Sequence, residues 1–287
     1  MPNFQIVTDS CCDFPGEMYA SLGLTYAPLS VEFRGEVKDD TCDESLKVMY
    51  DALRAGERAV TSAANPQRWC QCMEPILERG EDVLAMAFSS GLSTTYQSAE
   101  IAAAELREKY PQRQIAVVDT LCASLGEGLL VWYACKKRDE GWTLEQTRQW
   151  VEENKLHLCH WFTVEDLMYL KRGGRVSATT ALVGTMLQIK PVMHMDDEGH
   201  LTSVGKVRGR RASIDAMVKK AMELGQGYDN STMFIVHGDC EEDARYLEAQ
   251  IREKCGVKDV LISYVGAVIG SHAGPGTLAL FFLGDHR

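Results

Sequence analysis

The sequence predicts an α/β protein of two α/β domains. The first is built on a mainly parallel sheet with helices on both faces and the second on a mixed sheet. Three observations predict it. Short Val- and Ile-rich runs alternate with longer segments of helical period, the pattern of β-α units feeding a parallel sheet. The alternation restarts after residue 156 and there includes a hairpin signal, Asp196-Asp197-Glu198-Gly199, foreign to a purely parallel sheet. The length of 287 residues is at the upper edge for one hydrophobic core and comfortable for two. The domains are therefore placed at 1–156 and 157–287, packed closely because no Gly/Ser-rich linker separates them.

Taken in order, Phe4–Val7 reads as a strand that stops at Thr8-Asp9-Ser10, Tyr26–Phe33 as a second strand and Ser45–Arg54 as a helix. Asn65 is an N-cap with Pro66 at the first helical position, and that helix runs to Glu78. A strand at Asp82–Phe88 precedes a helix at Ser93–Tyr110, closed by Pro111. Gln114–Asp119 is a strand, a helix follows to about Arg138, and Thr143 caps another that ends near Asn154. In the second part His157–Thr163 is strand-like and Val164–Lys171 helical; Lys171-Arg172-Gly173-Gly174-Arg175 is a loop, and Ser177 opens a helix to Leu187. Ile189–Met195 and Leu201–Lys206 form the hairpin, and Arg208–Leu224 is a helix. The set closes with Thr232–His237, a helix at Glu241–Cys255, Asp259–Val265, a Gly-rich loop at Gly270–Gly276 and a strand at Thr277–Leu283.

A net charge of −11 makes nucleic acid a poor partner, since an acidic surface repels a phosphate backbone. Lys206-Val207-Arg208-Gly209-Arg210-Arg211 is a local exception. The ten cysteines are scattered without a C-x-x-C pair, which disfavours a zinc site and a disulfide framework and leaves buried, reduced thiols. Neither a metal nor another cofactor is expected. Met1-Pro2-Asn3-Phe4-Gln5 lacks the basic run and apolar stretch of a secretory signal, and no window approaches 18 apolar residues, so the expected location is cytoplasmic.

Ligands of open α/β sheets bind beyond the carboxyl ends of the strands. The chain brings hydroxyls to that edge: Thr8 and Ser10 beside Asp9; Thr61 and Ser62 from the stretch before the Asn65 helix; the run Ser89-Ser90-Gly91-Leu92-Ser93-Thr94-Thr95; and Thr120 after Asp119, with Ser124 following. His272 adds a further donor from the Gly-rich loop. Each has a plainer reading: Ser89 and Ser93 as helix caps, Thr61 and Ser62 as turn formers, His272 as a structural residue. Taken together they suit a carboxylate or phosphate, for which neutral donors and helix N-termini are the common solution.

An enzyme reading competes with this one. Gly91-Leu92-Ser93-Thr94-Thr95 resembles the start of a nucleophile elbow, with Asp119 and His272 in triad order, but Thr95 stands where glycine is required. No P-loop occurs, and no G-x-G-x-x-G follows the first strand. The alternative is thus a serine hydrolase, or another enzyme acting on an acyl or phosphorylated small molecule, working through Ser93 and His272.

Seven segments in order carry a resemblance: Val7-Thr8-Asp9-Ser10; Thr61-Ser62; Phe88 to Ala99; Val118-Asp119-Thr120; Tyr169 to Arg175; Lys190-Pro191-Val192; and Gly270 to Gly276. Over essentially its full length the chain resembles the DegV family of bacterial fatty-acid-binding proteins. The resemblance implies two α/β domains with a long acyl chain buried between them, and a carboxylate held by Thr61, Ser62, Ser93 and Thr94 with His272 nearby. It implies a carrier without chemistry of its own that presents its fatty acid to a separate fatty-acid kinase. The acyl-phosphate made there feeds phospholipid synthesis. Two departures stand out: Ala63-Ala64-Asn65 follows Thr61-Ser62 in place of the usual Gln-Pro-Ser, and Thr94 replaces a glycine. Arg172, Arg175 and Arg208, the most cationic features of an acidic chain, are candidates for docking the kinase, with transient contact to anionic lipid heads as the other use of such a face. Met186, Leu187, Ile189, Val268 and Ile269 are candidate tunnel walls, although core and tunnel residues look alike in sequence.

Overall fold

The computed structural model describes residues 3–41, 46–176 and 188–287. Its first sheet is parallel and four-stranded, in the order β2-β1-β6-β7, from β1 (Phe4–Asp9), β2 (Thr25–Ala27), β6 (Asp82–Ala87) and β7 (Ile115–Asp119). Alternation along these strands sends Ile6, Leu84, Met86 and Val118 to one face and Val7, Val83, Ala85 and Ala87 to the other. The second face is covered by α3 (Pro66–Glu78) and α4 (Thr95–Lys109) through Trp69, Met73, Ala99 and Ala103. The first is covered by α5 (Leu125–Asp139) and α6 (Leu144–Asn154), the latter opened by a capping box between Thr143 and Gln146.

The second sheet has six strands in the order β10-β9-β8-β13-β11-β12. They are β8 (Leu158–Thr163), β9 (Ile189–Met195), β10 (Leu201–Arg208), β11 (Thr232–His237), β12 (Asp259–Tyr264) and β13 (Leu278–Leu283). Only β11 and β12 run parallel, so the sheet is mixed as the hairpin signal foretold. Its outer face packs on α8 (Arg210–Leu224) and α9 (Glu241–Cys255). Its inner face shares one continuous core with α5, which is buried almost all round and sits as a common layer between the two sheets.

Three differences from the sequence reading bear on the site. The stretch Tyr26–Phe33 is not one strand. Pro28 interrupts it, and the second part becomes β3 (Ser30–Phe33) of a separate antiparallel sheet, β4-β3-β5, with β4 (Glu36–Asp39) and β5 (Ala59–Ser62). Thr61 and Ser62 therefore end a strand. The Gly-rich loop at Gly270–Gly276 is half helix: α10 (Ala267–Ala273) carries Ser271 and His272 and packs against β3, β5 and α2 (Leu46–Arg54). Helical structure in Val164–Lys171 is confined to α7 (Met168–Arg172), whose C-terminal turn presents Gly173 and Arg175. The helix expected over Ser177–Leu187, with Met186 and Leu187, lies outside the described residues. Among the described residues no helix is long and apolar enough to cross a membrane.

Candidate functional site

A cavity of about 500 Å³ lies between the two sheets, within the range of small-molecule sites. Strand periodicity builds its apolar wall. Phe162 on β8, Ala279 and Phe281 on β13, and Val236 on β11 all point from the inner face of the six-stranded sheet. Val268 and Ile269 of α10 close the opposite side; Ile189 does not line the cavity. His160, two residues before Phe162, also faces it. Its Nδ1 is 2.9 Å from the Leu158 carbonyl and its Nε2 accepts the Ala123 N–H at 3.2 Å, so the neutral ring is pinned by both nitrogens and ties β8 to the start of α5. Burial pushes it well below the usual histidine range.

The polar groups gather where the cavity meets solvent. Thr61, Ser62, Ser93, Thr94 and His272, read from three separate places in the sequence, all line this one cavity. Ser62 and Thr94 are exposed; Thr61, Ser93 and His272 are half-buried. Thr61 Oγ1 lies 2.7 Å from His272 Nε2. The imidazole rests against Gly173, where a Cβ would stand 2.2 Å from His272 Nδ1. Burial, and then the Arg175 guanidinium, push His272 down to about 4, so the ring is neutral at neutral pH. Arg175 itself is half-buried in the cavity wall, donating to the carbonyls of Leu92 and Gly173. It was singled out from sequence with Arg172 and Arg208; those two are exposed and do not reach this cavity.

Several hydroxyls and carboxylates that sequence reasoning sent to the strand ends are occupied by the fold. Ser89 Oγ is buried, donates to the Gly199 carbonyl at 2.9 Å and so clamps the β9-β10 turn onto the first sheet. Asp9 accepts the N–H groups of Cys11 and Phe88, at 2.9 and 2.8 Å, and thereby anchors the run that carries Ser93 and Thr94. Burial raises Asp9 to about 7. Asp13 and Glu127, equally buried close by, are raised well above the usual carboxylate range. Asp13 accepts from Ser124 Oγ, and Asp40 accepts the Ala267 N–H at the start of α10. A buried acid cluster thus holds two of the segments that line the cavity. No motif announced it, since Asp13 and Glu127 look like ordinary loop and helix-start residues.

The triad arrangement is not assembled. Ser93 Oγ is 2.8 Å from Thr95 Oγ1 and accepts the Thr95 N–H, His272 is paired with Thr61, and Asp119 accepts the N–H groups of Ser90 and Leu121. What remains is a cleft that is apolar along its length and offers hydroxyls, a neutral imidazole and one guanidinium at its open end.

Known proteins resemble the chain along its whole length. The model of the DegV family, described as uncharacterised protein, matches residues 3–285. A DegV domain-containing protein of Clostridium perfringens is 45% identical, over 100% of this chain and 99% of that one. Among solved structures, a fatty-acid-binding DegV family protein of Thermus thermophilus is 31% identical with a TM-score of 0.88, covering 98% of this chain and 99% of its own. A DegV lipid-binding protein of Thermotoga maritima is 30% identical with a TM-score of 0.86 over 100% of both chains.

Proposed function

The chain belongs to the DegV family, and on that premise we propose that it binds one long-chain fatty acid and presents the carboxyl end to a separate fatty-acid kinase. The observation that carries the reading is a cavity that is apolar along its wall and gathers Thr61, Ser62, Ser93, Thr94 and His272 at its open end. The relatives from Thermus thermophilus and Thermotoga maritima, described as binding fatty acid and lipid, point the same way.

The energetics follow from that layout. Acyl burial supplies affinity at roughly 0.8 kcal/mol per CH₂, less the cost of ordering the chain. A carboxylate taken out of water needs its hydrogen bonds replaced. Thr61 Oγ1 is held 2.7 Å from His272 Nε2, and in the tautomer that carries its proton on Nε2 the Thr61 hydroxyl is free to donate to the carboxylate. Ser62, Ser93 and Thr94 add donors, and Arg175 in the same wall supplies the compensating charge. The protein offers the acid rather than transforming it. Exposure of Ser62 and Thr94 leaves the carboxyl end accessible to a kinase, and Arg172 and Arg208 are exposed cations available to an acidic partner.

The test is mass spectrometry of the organic extract of purified protein, beside native mass spectrometry of the intact chain. One fatty acid per chain is the expected result. A protein that carries none and takes up neither oleate nor palmitate would sink the reading.

A further inference from the structure

Asp9, Asp13, Asp40 and Glu127 are four acids buried behind the cavity, and its walls are bonded to them. Asp9 accepts the Phe88 N–H, Asp13 the Ser124 hydroxyl and Asp40 the Ala267 N–H at the start of α10. Asp40 also accepts from Ser10 Oγ at 3.3 Å, which itself accepts the Leu29 N–H at 3.0 Å. Glu127 accepts from Thr8 Oγ1 at 3.1 Å and so ties α5 to β1. Leu29, Phe88 and Ser124 line the cavity, as do Val268 and Ile269 directly after Ala267. Its frame is therefore joined through acids and not through apolar contact alone.

The surroundings of these acids call for protons. Asp13 Oδ1 and Glu127 Oε2 are buried without a hydrogen-bond partner, which a neutral acid tolerates far better than a carboxylate. Asp13 and Asp40 converge beside the turn into α10: a Cβ on Gly266 would stand 2.4 Å from Asp13 Oδ1 and 3.5 Å from Asp40 Oδ1. The other titratable groups that face the cluster are Cys11 and Cys12, kept neutral by burial, and Tyr50, whose hydroxyl donates to the Val265 carbonyl. The Arg175 guanidinium approaches on the Cys11 side. Among the described residues no cation pairs with Asp9, Asp13 or Glu127. One wall segment is also strained. Ser124 has φ 57° and ψ −148°, at the edge of a region left almost wholly to glycine, and its bond to Asp13 holds it there.

We propose that the cluster is a proton-operated latch on the acyl cavity, holding the wall segments together while protonated and loosening them when it ionises, so that a bound chain is retained at lower pH and released at higher. With the walls closed, Asp9 keeps its proton up to about 7; once water reaches it, the group reverts towards 3.8. The closed form thus binds more protons than the open one. Its advantage is complete below 3.8 and is lost as pH rises through about 7. An acyl chain dries the walls further, so by reciprocity its binding takes up protons. Retention of the chain rests on the acyl-binding reading; the loosening of the walls does not.

Two readouts use delipidated full-length protein and the single variants Asp13→Asn and Glu127→Gln, in which an amide stands for the neutral acid. Neither residue lines the cavity. The first, without ligand, follows amide hydrogen exchange of residues 88–95 and of α10 from pH 6 to pH 8, relative to α9 on the outer face of the second sheet. Protection of both segments should fall relative to α9 in the wild type, and less steeply in either variant. The second titrates hexadecanesulfonate, whose head group stays ionised throughout, by calorimetry in buffers of different ionisation heat. Binding should take up protons, and affinity should weaken above pH 7 by up to about tenfold per pH unit for each proton. Level protection overturns the latch. Falling protection without proton uptake overturns it too, because the walls would loosen without governing the ligand, and so does a pH dependence identical in wild type and variants. Should one variant fail to fold, the other and the wild-type slopes still decide. If neither hexadecanesulfonate nor palmitate binds at any pH, the acyl reading is refuted, and the exchange readout alone decides whether the cluster latches the walls.

Discussion

His272 Nε2 and Thr61 Oγ1 meet at 2.7 Å although 211 residues separate them, one on the last helix and the other at the end of a short strand. The fold favours the neutral imidazole over the charged one, its pKa pushed down to about 4 by burial and then by the Arg175 guanidinium. An unfolded histidine titrates near 6.5, so this contribution to stability is fully present above pH 6.5 and is lost as pH falls towards 4. A bound carboxylate opposes the depression by placing negative charge beside the ring. NMR of the ring nitrogens should therefore show His272 titrating near 4 in delipidated protein and higher with oleate. A value unmoved by oleate would place the carboxylate elsewhere.

Gly173 tests the same pair by displacement. Its φ is ordinary at −73°, so Gly173→Ala meets no backbone strain. The new Cβ would stand 2.2 Å from His272 Nδ1, however, and the ring must turn out of line with Thr61. Oleate affinity should fall by about tenfold through loss of the prepared donor. Unchanged affinity with a shifted His272 resonance would show that the imidazole does not serve the ligand.

How far the sequence was legible depended on what kind of signal each element carried. Thr232–His237 and Glu241–Cys255 were readable to the residue, because one is a compact apolar run and the other a charged helical repeat closed by Gly256. β5 was not, since Ala59–Ser62 is four half-exposed residues at the rim of a small sheet, with no apolar face to announce it. α10 was hidden by its own glycines. Gly270 is there for closeness, not for turning: a Cβ would lie 2.4 Å from the Tyr50 hydroxyl. Ser93 and Thr94 were legible from their place after a strand and Thr61 and Ser62 from theirs before the Asn65 helix, whereas Arg175 looked like a surface charge until the turn at Gly173 and Gly174 carried it into the wall.

The buried carboxyls make stability fall with rising pH. Asp9 holds its proton in the fold up to about 7 but loses it near 3.8 when unfolded, so its contribution is present below 3.8 and is lost as pH rises through about 7. Asp9→Asn removes that titration and turns a donor towards one of two backbone N–H groups, at a cost of about 1–3 kcal/mol. Thermal melts from pH 5 to pH 8 should show a lower Tm for the variant at pH 5 and a shallower decline above it. Parallel curves would mean that Asp9 does not titrate in this range.

Ser93→Ala separates a carrier from a hydrolase. Ser93 Oγ accepts the Thr95 N–H at the start of α4, so its loss should cost about 0.5–2 kcal/mol of stability. Retention of the fatty acid should weaken as well. Hydrolysis of a long-chain p-nitrophenyl ester should stay at the buffer rate in wild type and variant alike; turnover that vanishes with Ser93 would restore the nucleophile reading.

Thr94 stands where the sequence resemblance leads one to expect glycine, and its geometry says which way a side chain acts there. Its backbone lies at φ −82° and ψ 10°, which threonine adopts without strain, and its side chain makes no capping bond to α4. The hydroxyl is thus unspent by the helix and lines the cavity mouth beside Ser93. As a donor to the carboxylate it should be worth about fivefold in oleate affinity. Thr94→Val, which keeps the shape and removes the hydroxyl, should lose that factor, and Thr94→Gly should lose it too. Tighter binding by Thr94→Gly with no change in Thr94→Val would mean that the side chain crowds the head group instead, and that the departure weakens the site rather than adding to it.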